Sequence, residues 1–331
     1  STPRNPLALL VGEGPALAQF LGSTPLPEAP VVFSHSTGPL AGMISTQQLD
    51  DVLASIPLGA AFVTVVSSGR DRRPQEVGYG PAVVEGRISN WADPAVLGDR
   101  LELGESLVFS VVERLLPQLR SFCRELSQQI GRSVTADAFL TPPQNFALAQ
   151  HYDRVSSFIV QVEGEKVWDL FAPPIELPLV GYHPWESIEI DEATTSRLEE
   201  GPPDMVVMLG PGDVMWLPRG WVHRVYCRFR YSLHVALSFL PVTLHDVANA
   251  MLQIIAESKE LRADLPLREW RGDFEAMLSA VKDTVLQELA AVDVREVVDL
   301  VRRDALSRFD CAVPRPISAA LKLASPLEQL A

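Results

Sequence analysis

The middle of the chain alternates short hydrophobic runs with turns that are rich in proline and glycine. The runs that predict strands lie at 138–140, 156–162, 166–171, 205–209, 213–217 and 231–239. Many short strands with regular turns are typical of a β-barrel or sandwich and not of a doubly wound sheet. The pattern therefore predicts a mainly β core over about residues 131–242.

Helical periodicity precedes this core. Residues 46–55 predict a short capped helix, and residues 61–66 predict a buried strand. The run from Leu115 to Ile130 carries apolar residues at helical spacing, and Gly131 ends it. We therefore expect helices and strands on the N-terminal side of the barrel.

The pattern changes again after Pro241. A capping motif at Thr243 and Asp246 predicts a first amphipathic helix, and apolar stripes predict two more, beginning near Phe274 and Val294. These observations predict one domain over 1–242 that contains the β core and a helical domain over 243–331. The helices carry more apolar surface than so short a segment can bury against itself, which predicts a homodimer.

Composition and charge narrow the class of protein. The 331 residues are 47% hydrophobic and 21% charged, which excludes a disordered chain. A net charge of −14 argues against a nucleic-acid partner. Cys123, Cys227 and Cys311 lack metal-motif spacing, and the first apolar run is too short for a signal or membrane segment. We therefore expect a cytoplasmic protein without a membrane partner.

Two of the histidine contexts carry candidate chemistry. His151 and Asp153 flank Tyr152 ahead of a predicted strand, and on extended backbone residues i and i+2 point to one face. His223 follows the turn that ends segment 212–223. Two imidazoles and one carboxylate on one side of a metal leave positions open for a chelating cosubstrate and O2, which suits Fe(II).

Lys166 is the third element of this chemistry. If residues 156–162 and 166–171 form a hairpin, Lys166 projects from a strand into the barrel. A lone ammonium among apolar side chains needs an anion. A dicarboxylate that chelates iron at one end would supply that anion at its other end.

The segments 139–168, 212–223 and 231–239 together resemble the JmjC-type, cupin-like oxygenases, and in particular the ribosomal oxygenases. The matching motifs cover roughly residues 100–240. The resemblance implies a double-stranded β-helix, which is a jelly-roll-type barrel, with flanking helices. It also implies hydroxylation of protein side chains with Fe(II), 2-oxoglutarate and O2. The helical tail resembles that group's dimerisation region in character.

The resemblance also assigns roles to individual residues. It implies that His151, Asp153 and His223 are the catalytic metal ligands. It implies that Lys166 pairs with the distal carboxylate of 2-oxoglutarate, and that Ser232 lines the same cofactor-binding pocket.

Two positions depart from the family pattern. Phe139 stands where the family commonly has a tyrosine, so it lacks a hydroxyl that could hold the cosubstrate. Asp137 replaces an amide in the same strand. Both changes predict altered support for 2-oxoglutarate.

The remaining aromatic residues have simpler interpretations. His234 shares a strand face with Ser232 and reads as a hydrogen-bonded core histidine, not as a fourth ligand. Trp168, Trp216 and Trp221 read as barrel packing.

The predicted function is therefore hydroxylation of a peptide or protein side chain, with a basic residue or histidine favoured. The substrate is a ribosomal protein or a ribosomally made natural-product peptide. Acidic segments at 186–192 and 199–200 are expected to flank the barrel mouth and to attract a cationic chain. The alternatives are a non-catalytic cupin that binds a ligand or dimerises, and a tRNA-base hydroxylase, which the acidity disfavours.

Overall fold

The structure is a computed structural model of the chain. It describes residues 5–23, 26–56, 58–59, 62–67, 70–71, 81–84, 87–90, 92–145, 148–265 and 274–307. The chain divides into two compact units, residues 1–241 and 242–331, and each is described by itself below. Ala61, the first residue of one predicted strand, and Cys311 lie outside the described residues.

Helices of the first unit begin and end where local sequence signals direct. They are α1 (Pro6–Val11), α2 (Pro15–Gly22), α3 (Thr46–Ser55), α4 (Pro94–Glu102), α5 (Pro117–Ile130) and α6 (Glu192–Glu200). Ser45 caps α3 through a hydrogen bond from the backbone N–H of Gln48. Gly131 ends α5 in the left-handed conformation, with φ of 65°.

The strands form two main sheets. They are β1 (Val31–Ser34), β2 (Val63–Ser67), β3 (Arg70–Asp71), β4 (Pro81–Val84), β5 (Arg87–Asn90), β6 (Ser106–Phe109), β7 (Val134–Thr141), β8 (Ser156–Gly164), β9 (Lys166–Phe171), β10 (Met205–Leu209), β11 (Asp213–Leu217), β12 (Val222–Tyr226) and β13 (Ser232–Phe239). The larger sheet has the order β1-β11-β8-β13-β7-β6-β2-β3, and the smaller has the order β10-β9-β12. Strands β4 and β5 pair separately.

The larger sheet and the β10-β9-β12 sheet face each other across a shared apolar layer. Ile159 and Met215 from the larger sheet pack in one buried cluster with Leu170, Leu209 and Val225 from the smaller. All the strand pairs within the described residues are antiparallel, as a jelly-roll-type barrel requires. The predicted double-stranded β-helix with flanking helices is confirmed.

The predicted hairpin between β8 and β9 is wrong. Strand β8 pairs with β11 and β13 in the larger sheet, whereas β9 pairs with β10 and β12 in the smaller. The chain crosses between sheets at Gly164, whose φ is 65° and where a Cβ would collide with the Tyr231 carbonyl. Lys166 is still the first residue of β9 and is fully buried on the inner side of the barrel.

Helix α5 covers the outer face of the larger sheet and thereby orients β7. Leu119 and Leu126 of α5 are fully buried in the same core as Ala136 and Ala138 of β7. Because neighbouring residues on a strand point to opposite faces, Asp137 and the other odd-numbered positions of β7 turn towards the barrel interior. Removing one such buried leucine side chain typically costs about 2–5 kcal/mol.

The second unit contains α7 (Leu244–Ile255), α8 (Phe274–Ala291) and α9 (Val294–Ser307). Thr243 and Asp246 form the predicted capping box at the start of α7. Helix α7 packs against both α8 and α9. Among the described residues, no helix is long and apolar enough to cross a membrane.

Candidate active site

Backbone pairing brings the two candidate histidines together. His223 lies in β12, and its N–H donates to the His151 carbonyl at 2.8 Å, while the His151 N–H donates to the His223 carbonyl at 3.3 Å. The imidazole ring centroids are therefore only 4.4 Å apart. The Gly220 N–H donates to the Asp153 carbonyl at 2.9 Å, which fixes the third residue beside them.

The three side chains converge on one point. His151 Nε2 lies 3.8 Å from Asp153 Oδ1, and His223 Nε2 lies 3.8 Å from Asp153 Oδ2. One potential ligand atom from each residue lies within 4.8 Å of the others. A separation of 3.8 Å is too long for a hydrogen bond, but it suits ligands arranged around one ion. The structure thus brings together the three residues that the sequence singled out.

Both imidazoles are oriented for metal binding by their second nitrogen. Nδ1 of His151 donates to the Ala149 carbonyl at 2.7 Å, and Nδ1 of His223 donates to the Trp221 carbonyl at 3.1 Å. A carbonyl can only accept, so the proton is on Nδ1 and the Nε2 lone pair is free. Burial, together with His151, lowers the pKa of His223 to about 4, which keeps its ring neutral near pH 7.

This donor set fits Fe(II). Two imidazoles and one carboxylate match the facial ligand set of iron oxygenases, which would leave further coordination positions of a bound Fe(II) for a cosubstrate. Structural zinc needs a closed tetrahedral shell, and the triad supplies three ligands.

The triad lies at the wall of a cavity of about 260 Å³ inside the barrel. Its lining residues are Thr135, Asp137, Phe139, Leu148, His151, Asp153, Val155, Ile159, Lys166, Trp168, Leu217, His223, Val225, His234, Ala236 and Ser238. Strands from both sheets contribute to this lining, so the closure of the barrel is what creates the chamber.

Lys166 is fully buried in this cavity. Its Nζ donates to Thr141 Oγ1 at 2.8 Å and to His234 Nδ1 at 3.3 Å, and no described carboxylate pairs with it. Burial lowers the pKa of Lys166 to about 8. A buried ammonium held by two neutral groups has an unmet need for an anion.

The two arginines closest in sequence to His223 are engaged outside the cavity. Arg224 forms a salt bridge to Asp169 at 2.9 Å. Arg219 donates to the Pro178 carbonyl at 3.0 Å. Neither belongs to the cavity lining, so Lys166 is the cation that the structure places there.

Ser232 is not among the residues that line the cavity, and its role in the cofactor-binding pocket stays a prediction. It is fully buried, and its Oγ accepts a hydrogen bond from Gln161 Nε2 at 2.9 Å. His234, Ala236 and Ser238 share its face of β13 and do line the chamber. Ser232 pairs with Gly164, the residue at which the chain crosses between the two sheets.

The two family departures both face the cavity. The Phe139 ring stacks on His234 with centroids 4.7 Å apart and an interplanar angle of 3°. Asp137 Oδ1 accepts a hydrogen bond from the Val111 N–H at 2.8 Å. Burial raises the pKa of Asp137, and the nearby Asp153 carboxylate raises it further. From the sequence, Asp137 was identified only as a replacement for the amide of the family pattern. A second acidic group close to Asp153 was not predicted.

Residues 183–198, which include most of the acidic segment, pack against the loop that carries His151 and Asp153. The Tyr152 hydroxyl donates to the His183 carbonyl at 2.9 Å, and the Trp185 ring meets Tyr152 edge-on with centroids 5.3 Å apart. Gln150 Nε2 donates to the Leu198 carbonyl at 2.9 Å. The exposed acidic residues of 186–192 and 199–200 are therefore held close to the triad.

Residues 112–247 of this chain match the family model of the JmjC domain. Over these residues the chain is similar to JmjC domains, and the resemblance seen in its motifs is confirmed.

Individual relatives come from the ribosomal-oxygenase group. The chain is 35% identical over 176 residues to the bifunctional lysine-specific demethylase and histidyl-hydroxylase NO66 of Drosophila persimilis, covering 47% of this chain and 24% of that protein. It is 30% identical over 198 residues to ribosomal oxygenase 1 of Rattus norvegicus, covering 57% and 32%. The chain thus spans about a quarter to a third of these relatives.

Among solved structures, one that matches part of this chain is the crystal structure of the Escherichia coli ribosomal oxygenase YcfD. The two share 16% identity with a TM-score of 0.44, over 76% of this chain and 63% of that one.

Proposed function

We propose that this chain is an Fe(II)- and 2-oxoglutarate-dependent hydroxylase that acts on a side chain of a peptide or protein. One observation carries the proposal. His151, Asp153 and His223 converge on the wall of a cavity that also holds Lys166, a buried cation with no carboxylate partner among the described residues. The names of the relatives, which include a histidyl-hydroxylase and a ribosomal oxygenase, support the same class of reaction.

Each residue has a defined task in this reaction. His151, Asp153 and His223 hold the iron, and Lys166 neutralises the distal carboxylate of 2-oxoglutarate. The iron supplies O2 activation coupled to the oxidative decarboxylation of 2-oxoglutarate. The apolar chamber walls, which include Ile159, exclude water and hold the target carbon close to the metal.

The substrate that we propose is a cationic or imidazole-bearing side chain within a peptide or ribosomal protein. Asp137 lies in the cavity as a second carboxylate near Asp153. Outside the cavity, the exposed acidic segment beside Tyr152 favours approach of a basic chain and repels phosphates. A net charge of −14 also disfavours a nucleic-acid substrate.

The test is turnover of peptides from ribosomal proteins by the protein loaded with Fe(II), with 2-oxoglutarate in air. Intact-mass analysis should show one added oxygen atom on a peptide, together with stoichiometric succinate. A protein that binds iron but releases no succinate with any peptide would indicate the non-catalytic cupin. Oxygen added to tRNA and not to peptides would favour the tRNA-base hydroxylase.

Asp137→Asn should lower kcat/KM for a basic peptide by roughly 10- to 100-fold, because a charged partner of the substrate is lost. The amide oxygen can still accept from the Val111 N–H, so we expect the fold to persist. Steady-state kinetics with the hydroxylated peptide measures the effect. The control is Glu113→Gln, since Glu113 accepts from the Ala136 N–H and does not line the cavity. Equal kinetics for both variants would contradict the role of Asp137.

We also propose that the second unit forms a homodimer. Leu244 and Val294 are 89% and 74% exposed, and Val298 is 39% exposed. Exposed apolar side chains that lie together on helices indicate a surface that is buried by another protein chain. Val297 lies on the same helix but is only 7% exposed, so it belongs to the core of the unit and not to the exposed apolar surface.

Val294→Asp combined with Val298→Asp should convert the dimer to a monomer in light scattering at micromolar concentration, because both changes place a charge in the apolar contact. Thermal unfolding should change little, since neither side chain is buried in the unit. Leu103→Asp, on an exposed residue of the first unit, is the matched control. A wild-type chain that is already monomeric under these conditions would contradict the proposal.

A cytoplasmic location remains part of the proposal. It is supported by Cys227, which is buried and forms no disulfide with any other described residue. Reduced buried thiols are typical of proteins in a reducing compartment.

A further inference from the structure

Trp168 has a feature that barrel packing does not explain. It lies two residues after Lys166 on the same face of β9, is 3% exposed and lines the cavity. Its indole Nε1–H is buried, and no acceptor among the described residues takes its hydrogen bond. By contrast, Trp216 Nε1 donates to the Pro27 carbonyl at 2.8 Å, and Trp221 Nε1 donates to the Glu28 carbonyl at 2.7 Å.

The neighbours of Trp168 place its ring between the two ends of the proposed site. The indole lies 5.8 Å from the ring of His223, at the triad. It meets the ring of His234 edge-on, with centroids 5.3 Å apart and an interplanar angle of 76°. His234 Nδ1 in turn accepts a hydrogen bond from Lys166 Nζ. The indole therefore belongs to the wall between the triad and the buried cation.

The chemistry of the indole defines what it would bind. An indole nitrogen is a donor only, and buried donors in folded proteins are almost always satisfied. A phenylalanine would supply apolar packing with Ile159 and Leu217 without carrying a buried donor. The complement of an unpaired N–H beside an ammonium is an oxygen that carries negative charge.

We propose that Trp168 is a binding residue for the cosubstrate, whose indole N–H donates to an oxygen of the 2-oxo dicarboxylate that Lys166 neutralises. The proposal rests on the proposed function and adds a specific residue to it. It assigns the indole of Trp168, which lies between the triad and Lys166, to recognition of the cosubstrate and not to packing alone.

Loss of this hydrogen bond should weaken 2-oxoglutarate binding by roughly 10- to 100-fold, the usual range for a hydrogen bond to a charged group. Two variants separate the bond from the volume of the ring. Trp168→Phe removes the N–H and part of the ring. Incorporation of β-(3-benzothienyl)alanine at position 168 keeps the shape of the ring system and replaces only the N–H by sulfur.

The experiment is calorimetric titration of 2-oxoglutarate into the full chain loaded with Zn²⁺, which is redox-inactive and diamagnetic. It is paired with ¹H–¹⁵N spectra of the indole groups of the six tryptophans. The Trp168 signal is identified by its loss in Trp168→Phe. On saturation with 2-oxoglutarate, we expect its proton to shift downfield and to exchange more slowly with water. Trp216→Phe, which removes an indole that donates outside the cavity, is the matched control.

The outcomes separate this proposal from the proposed function. Weaker binding in both Trp168 variants, with an unchanged Kd in the control, supports the role of the indole. Tight binding in the wild type that is unchanged by the benzothienyl residue, with no shift of the indole proton, overturns this inference alone. No binding of 2-oxoglutarate to the metal-loaded wild type overturns the proposed function and this inference with it.

Discussion

Asp153→Ala is expected to weaken Fe(II) binding by more than roughly 100-fold and to abolish 2-oxoglutarate turnover. The carboxylate is the anionic ligand of the triad, and the two neutral imidazoles that remain cannot balance the charge of the metal. The side chain of Asp153 is 48% exposed, and Gly220 donates to its backbone carbonyl, which the variant keeps. Metal affinity measured by competition with a chelating dye, together with succinate release, checks the prediction.

The matched control for this variant is Asp50→Ala, because Asp50 is an exposed aspartate on α3, outside the cavity lining. It should retain wild-type affinity for iron. Unfolding temperatures of both variants should stay close to that of the wild type. Full turnover by Asp153→Ala would remove the triad as the metal site.

Lys166→Met should raise the KM for 2-oxoglutarate at least roughly thirtyfold, while iron binding changes little. The variant leaves the distal carboxylate unpaired in the barrel, which costs about 2–5 kcal/mol. Methionine can occupy the buried volume without a charge, so the fold should persist. Steady-state kinetics with varied 2-oxoglutarate gives the KM, and Lys259→Met, on an exposed lysine, is the control. An unchanged KM in Lys166→Met would place the cation elsewhere.

The same lysine predicts a pH dependence. Burial lowers the pKa of Lys166 to about 8, so in the free protein the ammonium is fully charged well below pH 8 and loses its proton as pH rises through that value. The Kd for 2-oxoglutarate should therefore be flat at lower pH and rise above about pH 8. In Lys166→Met this increase should disappear.

The sequence carried most of the information about the barrel strands and the triad. Alternating hydrophobic runs located β8, β9, β11 and β13, because strands buried between sheets need apolar side chains. The spacing of His151 and Asp153 marked one candidate metal pair. His223 was found through its motif, although β12 itself went undetected, since Val222–Tyr226 includes two polar residues.

Sheet membership was not readable from the sequence. Residues 163–165 resemble a hairpin turn, yet Gly164 carries the chain across to the opposite sheet. Local turn chemistry is the same in both cases, and the choice depends on which strands are paired elsewhere. Ser232 lies at this crossing, since it pairs with Gly164 and with Thr141.

The roles of Asp137, Trp168 and Val297 depended on tertiary contacts. Periodicity placed Val297 on an apolar stripe but could not say whether that stripe faces α7 or solvent. The sequence predicted a packing role for Trp168. That its buried indole N–H has no acceptor among the described residues can be recognised only from the three-dimensional structure. The sequence identified Asp137 only as a replacement for an amide, whereas the structure shows that it lies in β7 and lines the cavity.

The central claim is that the triad and Lys166 jointly hold Fe(II) and 2-oxoglutarate. The most direct test is an anaerobic titration of the Fe(II)-loaded chain with 2-oxoglutarate, following the visible absorption band of a 2-oxo acid chelated to Fe(II). The wild type should give this band with saturation at one equivalent per chain. Lys166→Met should require far more 2-oxoglutarate, and Asp153→Ala should give no band. A wild-type protein that binds Fe(II) yet shows no band at any 2-oxoglutarate concentration would contradict the claim.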